Sequence, residues 1–307
     1  MKSLELTYPS YTKKAITFTI DDGRLETDKR MIEILKPHGI KGTFNLCRSN
    51  DVSPEEYREI YEGFEIANHC KEHPNCFSDD TEYKLSEDEF DKEEADPEYI
   101  YKHPTKDGMF YYRRAVGWRL ITDPVNYVRL IDECHEELEE IFGKGSVNSF
   151  VWPFGEQKSK AVVEHIKMRG YYGIRKTGCL SDSTAFAPPA DWFAWSYNAT
   201  HSNLVEVAEL YDAYHDDGEL KMFSFGVHSV DFERFEKWGE LQVFADKFGT
   251  RPNDFWYATV GEIYHYTEAA KRLSIVGGYV KNESDIALYA LSSGEKMTIP
   301  PHSTIKL

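Results

Sequence analysis

AITFTIDDGRLETDKRMIEILKPHGIKGTFNL, residues 15–46, reads as a strand, a helix and a second strand in succession. Residues 15–20 alternate apolar and β-branched side chains with almost nothing charged, the pattern of a strand buried on both faces. Leu25, Met31, Ile32, Ile34 and Leu35 then fall at near-helical spacing over 25–38, and Pro37 and Gly39 stop the run before the next strand at 41–46. The alternation continues downstream. FEIAN (64–68), VNSFVW (147–152) and MFSFGV (222–227) read as strands, and helices are expected over 54–62, 124–142, 157–169, 204–216, 232–248 and 260–272. Strands separated by helices of this length imply parallel pairing with crossover helices, so the expected class is α/β and the expected architecture a (β/α) barrel.

Two stretches break the alternation. Residues 79–98 contain eleven acidic residues and two Lys, and are followed by Tyr99, Tyr101, Phe110, Tyr111, Tyr112 and Trp118 around a Pro/Gly-containing turn. An insert of this length, about 77–122, is expected to be a surface-facing loop region that governs what the site accepts. The last stretch, 274–307, is strand-like and predicts a small β-appendage packed on a barrel that occupies 1–273.

The chain has 307 residues and a net charge of −17, with 36 Lys+Arg against 53 Asp+Glu. That balance repels nucleic-acid phosphates and anionic membrane surfaces, and no basic stripe offsets it. No run approaches the 18 or so apolar residues of a membrane span. The five Cys are odd in number and form no CxxC pair, which suits reduced thiols. The N-terminus MKSLELTYPSYTKK has no apolar h-region, so the expected location is the cytoplasm, or outside the cell if a leader has been removed. The oligomeric state is left open.

Chemistry gathers where the apolar strand stops. Asp21 and Asp22 leave the end of the first strand together, and in a barrel such strand ends converge on one face. Neighbouring carboxylates pointing different ways divide labour, one on a metal and one free to take a proton. A second pair, His69 and His73, follows the strand at 64–68; at i and i+4 the two imidazoles share one face of a helical turn. Two His and one carboxylate leave a coordination position open for water, as catalytic metal sites do. Such a set suits Zn²⁺, placed first, and also Co²⁺, Ni²⁺ or Fe²⁺.

TIDDG (19–23), NHCKEHP (68–74), FVWPFG (150–155) and FGVHS (225–229), in that order, resemble the motifs of the polysaccharide deacetylase family, the NodB-like carbohydrate esterases. The resemblance spans about residues 15–272. It implies an irregular (β/α) barrel of about seven parallel strands, with Asp21 as catalytic base and Asp22, His69 and His73 as metal ligands. It also implies an oxyanion and substrate wall at Trp152, Pro153 and Phe154, with a backbone N–H donating, and His228 as general acid. Two positions depart from the family. Val151 stands where many members carry an Arg that pairs with the base, and Cys70 replaces a Ser or Thr. The family's Asp-Trp motif is placed loosely at Asp191-Trp192. The expected activity is removal of acetyl groups from N- or O-acetylated sugars. Two alternatives stand beside it: hydrolysis of a small amide or cyclic imide on the same fold, or a non-catalytic carbohydrate-binding protein.

Overall fold

The computed structural model describes residues 4–47, 52–76, 100–105, 108–113, 120–121, 124–154, 159–180, 182–215 and 217–307. Its elements begin with β1 (Leu4–Thr7), β2 (Lys14–Asp22), α1 (Leu25–Leu35), β3 (Gly42–Leu46), α2 (Pro54–Ile60) and β4 (Glu65–Asn68). β5 (Asn75–Cys76) precedes the insert, which carries β6 (Ile100–Thr105), β7 (Gly108–Arg113) and β8 (Leu120–Ile121). Then come α3 (Pro124–Phe142), β9 (Val147–Val151), α4 (Lys160–Met168), β10 (Gly173–Cys179), β11 (Trp195–Tyr197), α5 (Leu204–Asp212) and β12 (Lys221–His228). The chain continues with α6 (Ser229–Arg234), α7 (Trp238–Phe248), β13 (Phe255–Tyr257) and α8 (Val260–Ala270). It closes with β14 (Ser274–Val276), β15 (Tyr279–Asn282), β16 (Leu288–Ser292), β17 (Glu295–Ile299) and β18 (Ser303–Lys306).

Eight strands make one sheet in the order β11-β10-β9-β4-β3-β2-β12, with β13 also on β2. Every pairing in it is parallel. One edge of β2 is taken by β12 over residues 14–21, and the other is shared by β13 over 14–16 and β3 from 18 onward. Beyond the end of β11, Ala199 makes an isolated parallel bridge to Phe225 of β12, and among the described residues no ladder joins these two outermost strands. β2 is buried along almost its whole length, as its unbroken apolar run requires.

The long helix expected over 232–248 is two helices. Glu236 adopts a left-handed φ of 55° between them, and helical hydrogen bonding cannot continue through it. In the insert, β6 and β7 form an antiparallel hairpin that carries Tyr101, Phe110, Tyr111 and Tyr112, while the acidic run 79–98, Tyr99 and Trp118 lie outside the described residues. The C-terminal strands build two small sheets, β14-β15-β18 and β1-β16-β17, the second of which takes its first strand from the N-terminus. They join a second core in which Val280, Leu288, Ala290 and Ile299 pack with Val260, Ile263, Tyr266 and Ala269 of α8.

Candidate active site

Asp21 and Asp22 end β2, and register fixes their neighbours: Asp21 lies opposite Asn45 of β3 on one side and His228 of β12 on the other. Asp21 is 7% exposed, and its Oδ1 accepts a hydrogen bond of 2.7 Å from Asn45 Nδ2 and another from Arg175 Nη2. Burial by itself raises the Asp21 pKa, but Arg175, His69 and His228 more than offset it, and the carboxyl is held below its ordinary value.

Arg175 answers the departure at Val151. Val151 and Arg175 are register partners on β9 and β10, so their side chains leave the same face of the sheet. The guanidinium absent at 151 is supplied one strand over, 1% exposed and lying 5.1 Å from the Tyr197 ring centroid. The Asp21 pKa is therefore set by a guanidinium as well as by burial. Arg175 is missing from the sequence-derived set because GIRKTGC has no clear strand pattern; its place just after a helix is the signal that points to a parallel strand there.

Asp22 turns the other way, with φ at 79°. Its Oδ1 lies 3.5 Å from His69 Nε2 and 3.3 Å from His73 Nε2, and the three donor atoms sit within 4.8 Å of one another. A tetrahedral centre with bonds of about 2.1 Å separates its ligand atoms by roughly 3.4 Å, which is the spacing seen from Asp22 to each histidine. Asp22 Oδ1 is also buried and, among the described residues, accepts no hydrogen bond, an orphaned oxygen that a cation would satisfy. The residues present fit a divalent metal. Burial raises the Asp22 pKa, and the His69 imidazole beside it outweighs this and lowers it. Burial, with His69 second, pushes His73 down to about 4, which leaves its nitrogen free of a proton at neutral pH.

The two histidines do not sit on a helical turn as their spacing suggests. Residues 69–73 form a loop in which Cys70, Glu72 and His73 all have left-handed φ, at 62°, 64° and 47°. The loop is pinned from several sides. His69 N–H donates to Leu46 O, Cys70 N–H to Asn68 Oδ1 at 2.8 Å, and His69 Nδ1 to Val151 O at 2.9 Å. That last bond fixes the tautomer and turns Nε2 toward Asp22. Cys70 is fully buried in the core, so the Ser or Thr hydroxyl it replaces is not what supports the loop; Asn68 is. Backbone strain gathered here, and again at Phe154 with φ 56°, is characteristic of functional sites.

Phe154 stands against His73, ring centroids 4.2 Å apart. Trp152 is 1% exposed and packs edge-on against Phe150. Pro153, between them, is buried.

His228, at the end of β12, donates Nδ1–H to Asp231 Oδ2 at 2.9 Å. Burial lowers its pKa, but the Asp231 bond and the nearby Asp21 and Asp22 raise it to about 9, so the ring is cationic at neutral pH. Asp231 is therefore the carboxylate that tunes this histidine. Asp191 instead accepts from the Phe193 backbone N–H in a local turn, and Trp192 belongs to the second core. The partner three residues beyond His228 was within reach of a local sequence reading.

A model of the polysaccharide deacetylase family matches residues 9–174, just over half of the chain and one residue short of Arg175. No curated protein sequence matches at significance. Among solved structures, the chain is similar to the peptidoglycan deacetylase PdaC from Bacillus subtilis at 14% identity and TM-score 0.46, covering 86% of this chain and 96% of that one. It is similar to the chitin deacetylase from the fungal pathogen Colletotrichum lindemuthianum at 13% identity and TM-score 0.45, covering 85% and 89%. It is also similar to the Xyl-CE4 domain of a multidomain xylanase from the hindgut metagenome of Trinervitermes trinervoides, at 14% identity and TM-score 0.47, covering 84% and 92%. With its family match running through both aspartates and both histidines, the chain belongs to the polysaccharide deacetylase family.

Proposed function

We propose that the protein is a metal-dependent hydrolase that removes acetyl groups from N- or O-acetylated carbohydrates. One observation carries this reading. A carboxyl with a lowered pKa and an imidazole with a raised one, Asp21 and His228, occupy paired positions on adjacent strands, beside three donors spaced for one cation. Two titratable groups pushed apart in this way are a base and an acid at the same pH.

When bound by Asp22, His69 and His73, a divalent cation, with Zn²⁺ placed first, would acidify a water and polarise the acyl oxygen. Asp21, kept ionised by Arg175 and Asn45, accepts the proton of the attacking water. The backbone N–H of Phe154 is the donor assigned to the developing oxyanion, a contact typically worth about 3 kcal/mol. His228 gives its proton to the departing amine or alcohol, a contribution of order 10²–10⁴ in rate. Arg175 beside Asp21 supplies the guanidinium that many family members place at position 151, which favours the deacetylase reading over hydrolysis of a small amide or cyclic imide. A binding protein on a degenerate barrel would be expected to have lost a ligand, and all three are in place.

The test is metal content by mass spectrometry alongside acetate release. Near-stoichiometric transition metal in the wild type, none in a His69→Ala/His73→Ala variant, and acetate release that EDTA abolishes and Zn²⁺ or Co²⁺ restores would support the reading. A wild type that stays metal-free after soaking, or that releases acetate equally well in EDTA, would sink it.

A further inference from the structure

We propose that the protein carries a second, non-catalytic binding site at the far end of the barrel from Asp21, in a cavity between the strand starts and the β1-β16-β17 sheet, and that its ligand is a neutral saccharide.

The cavity has a volume of about 340 Å³, at the small end of the range for small-molecule sites. Lys14, Lys221 and Phe255, at the starts of β2, β12 and β13, line it from the barrel side, and Thr7 of β1 and Leu291 of β16 line it from the small sheet. Lys14 and Lys221 are register partners, and the same two strands end seven residues later on Asp21 and His228. At about 3.3 Å per residue, the cavity therefore lies roughly 23 Å from the reaction centre.

Charge does not select an ion here, because the cations in the lining are already engaged. Lys13 pairs with Glu5 at 3.0 Å and Lys221 with Asp217 at 2.6 Å. Arg251 donates twice to Asp212, at 3.0 and 3.1 Å, and once to Asp254 at 2.8 Å. Lys14 Nζ donates to the last carbonyls of α5, Tyr211 O and Asp212 O. An ionic ligand would have to break one of these contacts, whereas a neutral one leaves them in place.

Four polar side chains of the lining are left over. Thr7 Oγ1 is fully buried with no hydrogen-bond partner, and among the described residues the side chains of His215, Glu219 and Asn253 make no hydrogen bond either. A buried hydroxyl without a partner is uncommon and marks a place where a ligand atom is missing. A hydroxyl, an imidazole, a carboxylate and an amide mix donors with acceptors, and sugar hydroxyls, each donor and acceptor at once, match such a set. Tyr11 and Tyr214 line the same cavity. Tyr214 is 36% exposed and is held edge-on against Phe186, centroids 5.6 Å apart and planes at 87°, so it offers a fixed apolar surface to the C–H side of a sugar ring.

The test is titration calorimetry of the full chain with xylobiose, cellobiose and maltose, none of which carries an acetyl group to remove. Saturable millimolar binding of at least one is expected in the wild type, and equally in His69→Ala/His73→Ala, because the catalytic cleft takes no part. Asn253→Ala/Glu219→Ala, at two exposed positions, should bind that sugar about tenfold more weakly with an unchanged melting temperature. His215→Trp, also at an exposed position, fills the cavity instead of emptying it and should weaken binding too. Inorganic phosphate should not compete. No saturable binding of any of the three sugars, binding lost with the two metal-site histidines, binding unchanged in either cavity variant, or displacement by phosphate overturns the proposal. None of these results bears on the deacetylase reading, which stands or falls on metal content and acetate release.

Discussion

Asp231 sets the pH range over which His228 can act as an acid. With Asp231 accepting from Nδ1, His228 titrates at about 9; a neutral amide at 231 removes the charge that opposes deprotonation. In Asp231→Asn the alkaline limb of kcat/KM should move from about pH 9 to about 7, close to an ordinary histidine. An alkaline limb that stays put would assign it to another group. Arg175→Met tests the other end of the reaction. Without the guanidinium the buried Asp21 carboxyl is left to desolvation, its pKa rises, and the acid limb should move to higher pH while bound metal is retained. Breaking a buried pair typically costs about 3–5 kcal/mol, so the melting temperature should drop as well. Arg175 also marks where sequence alone stops. Asp21, Asp22, His69 and His73 are legible because each lies at the end of an apolar run. Arg175 is not, because only the register of β9 against β10 puts it beside Asp21, and register is a property of the assembled sheet.

Three helices meet at one buried carboxyl that the reaction does not use. Asp28 of α1 is fully buried and accepts from Tyr61 Oη at 2.7 Å, just after α2, and from Ser229 Oγ at the start of α6. Thr27 adds a contact of 2.7 Å to the same serine, so the segment that begins at His228 is tied to α1. Burial raises the Asp28 pKa to about 7, against roughly 3.9 in an unfolded chain. Between those values the folded protein keeps a proton that the unfolded chain has lost, so this group's contribution is full below about pH 4 and declines as pH rises toward 7. Asp28→Asn, which imitates the protonated acid, should remove that decline. Measured by urea unfolding at pH 4.5 and 7, the wild type should lose more stability across the interval than the variant, by an amount of order 1 kcal/mol or more. Equal changes in the two proteins would mean that Asp28 titrates normally. At this scale strands are legible in the sequence and helix ends less so. The histidine pair has helical spacing but a left-handed loop, because ladder and side-chain bonds to Leu46, Asn68 and Val151 hold residues that propensity leaves undecided.

Across the whole molecule, the irregular NodB-like barrel and the C-terminal strands share a core. Val280, Leu288, Ala290 and Ile299 bury against α8, and β1, from the other end of the chain, closes the β16 edge. Tyr266 of α8 adds a polar tie: its Oη donates to Thr7 O and accepts from the Tyr289 backbone N–H. The strands at 274–307 therefore have no separate interior to unfold, and their removal would strip the outer face of α8, which itself packs on the barrel through Tyr172, Trp192 and Trp195. A 34-residue tail with so small a core is below the size that folds alone without staples. We expect the full chain to show one calorimetric transition, with the melting of near-ultraviolet signals coincident with it. Leu288→Ala, at a fully buried position, should lose about 2–5 kcal/mol and lower that single transition as a whole rather than split it. A variant that keeps the main transition in place and melts a small early one would show that the strands fold as a unit of their own, and that α8 reaches its packing on the barrel without them.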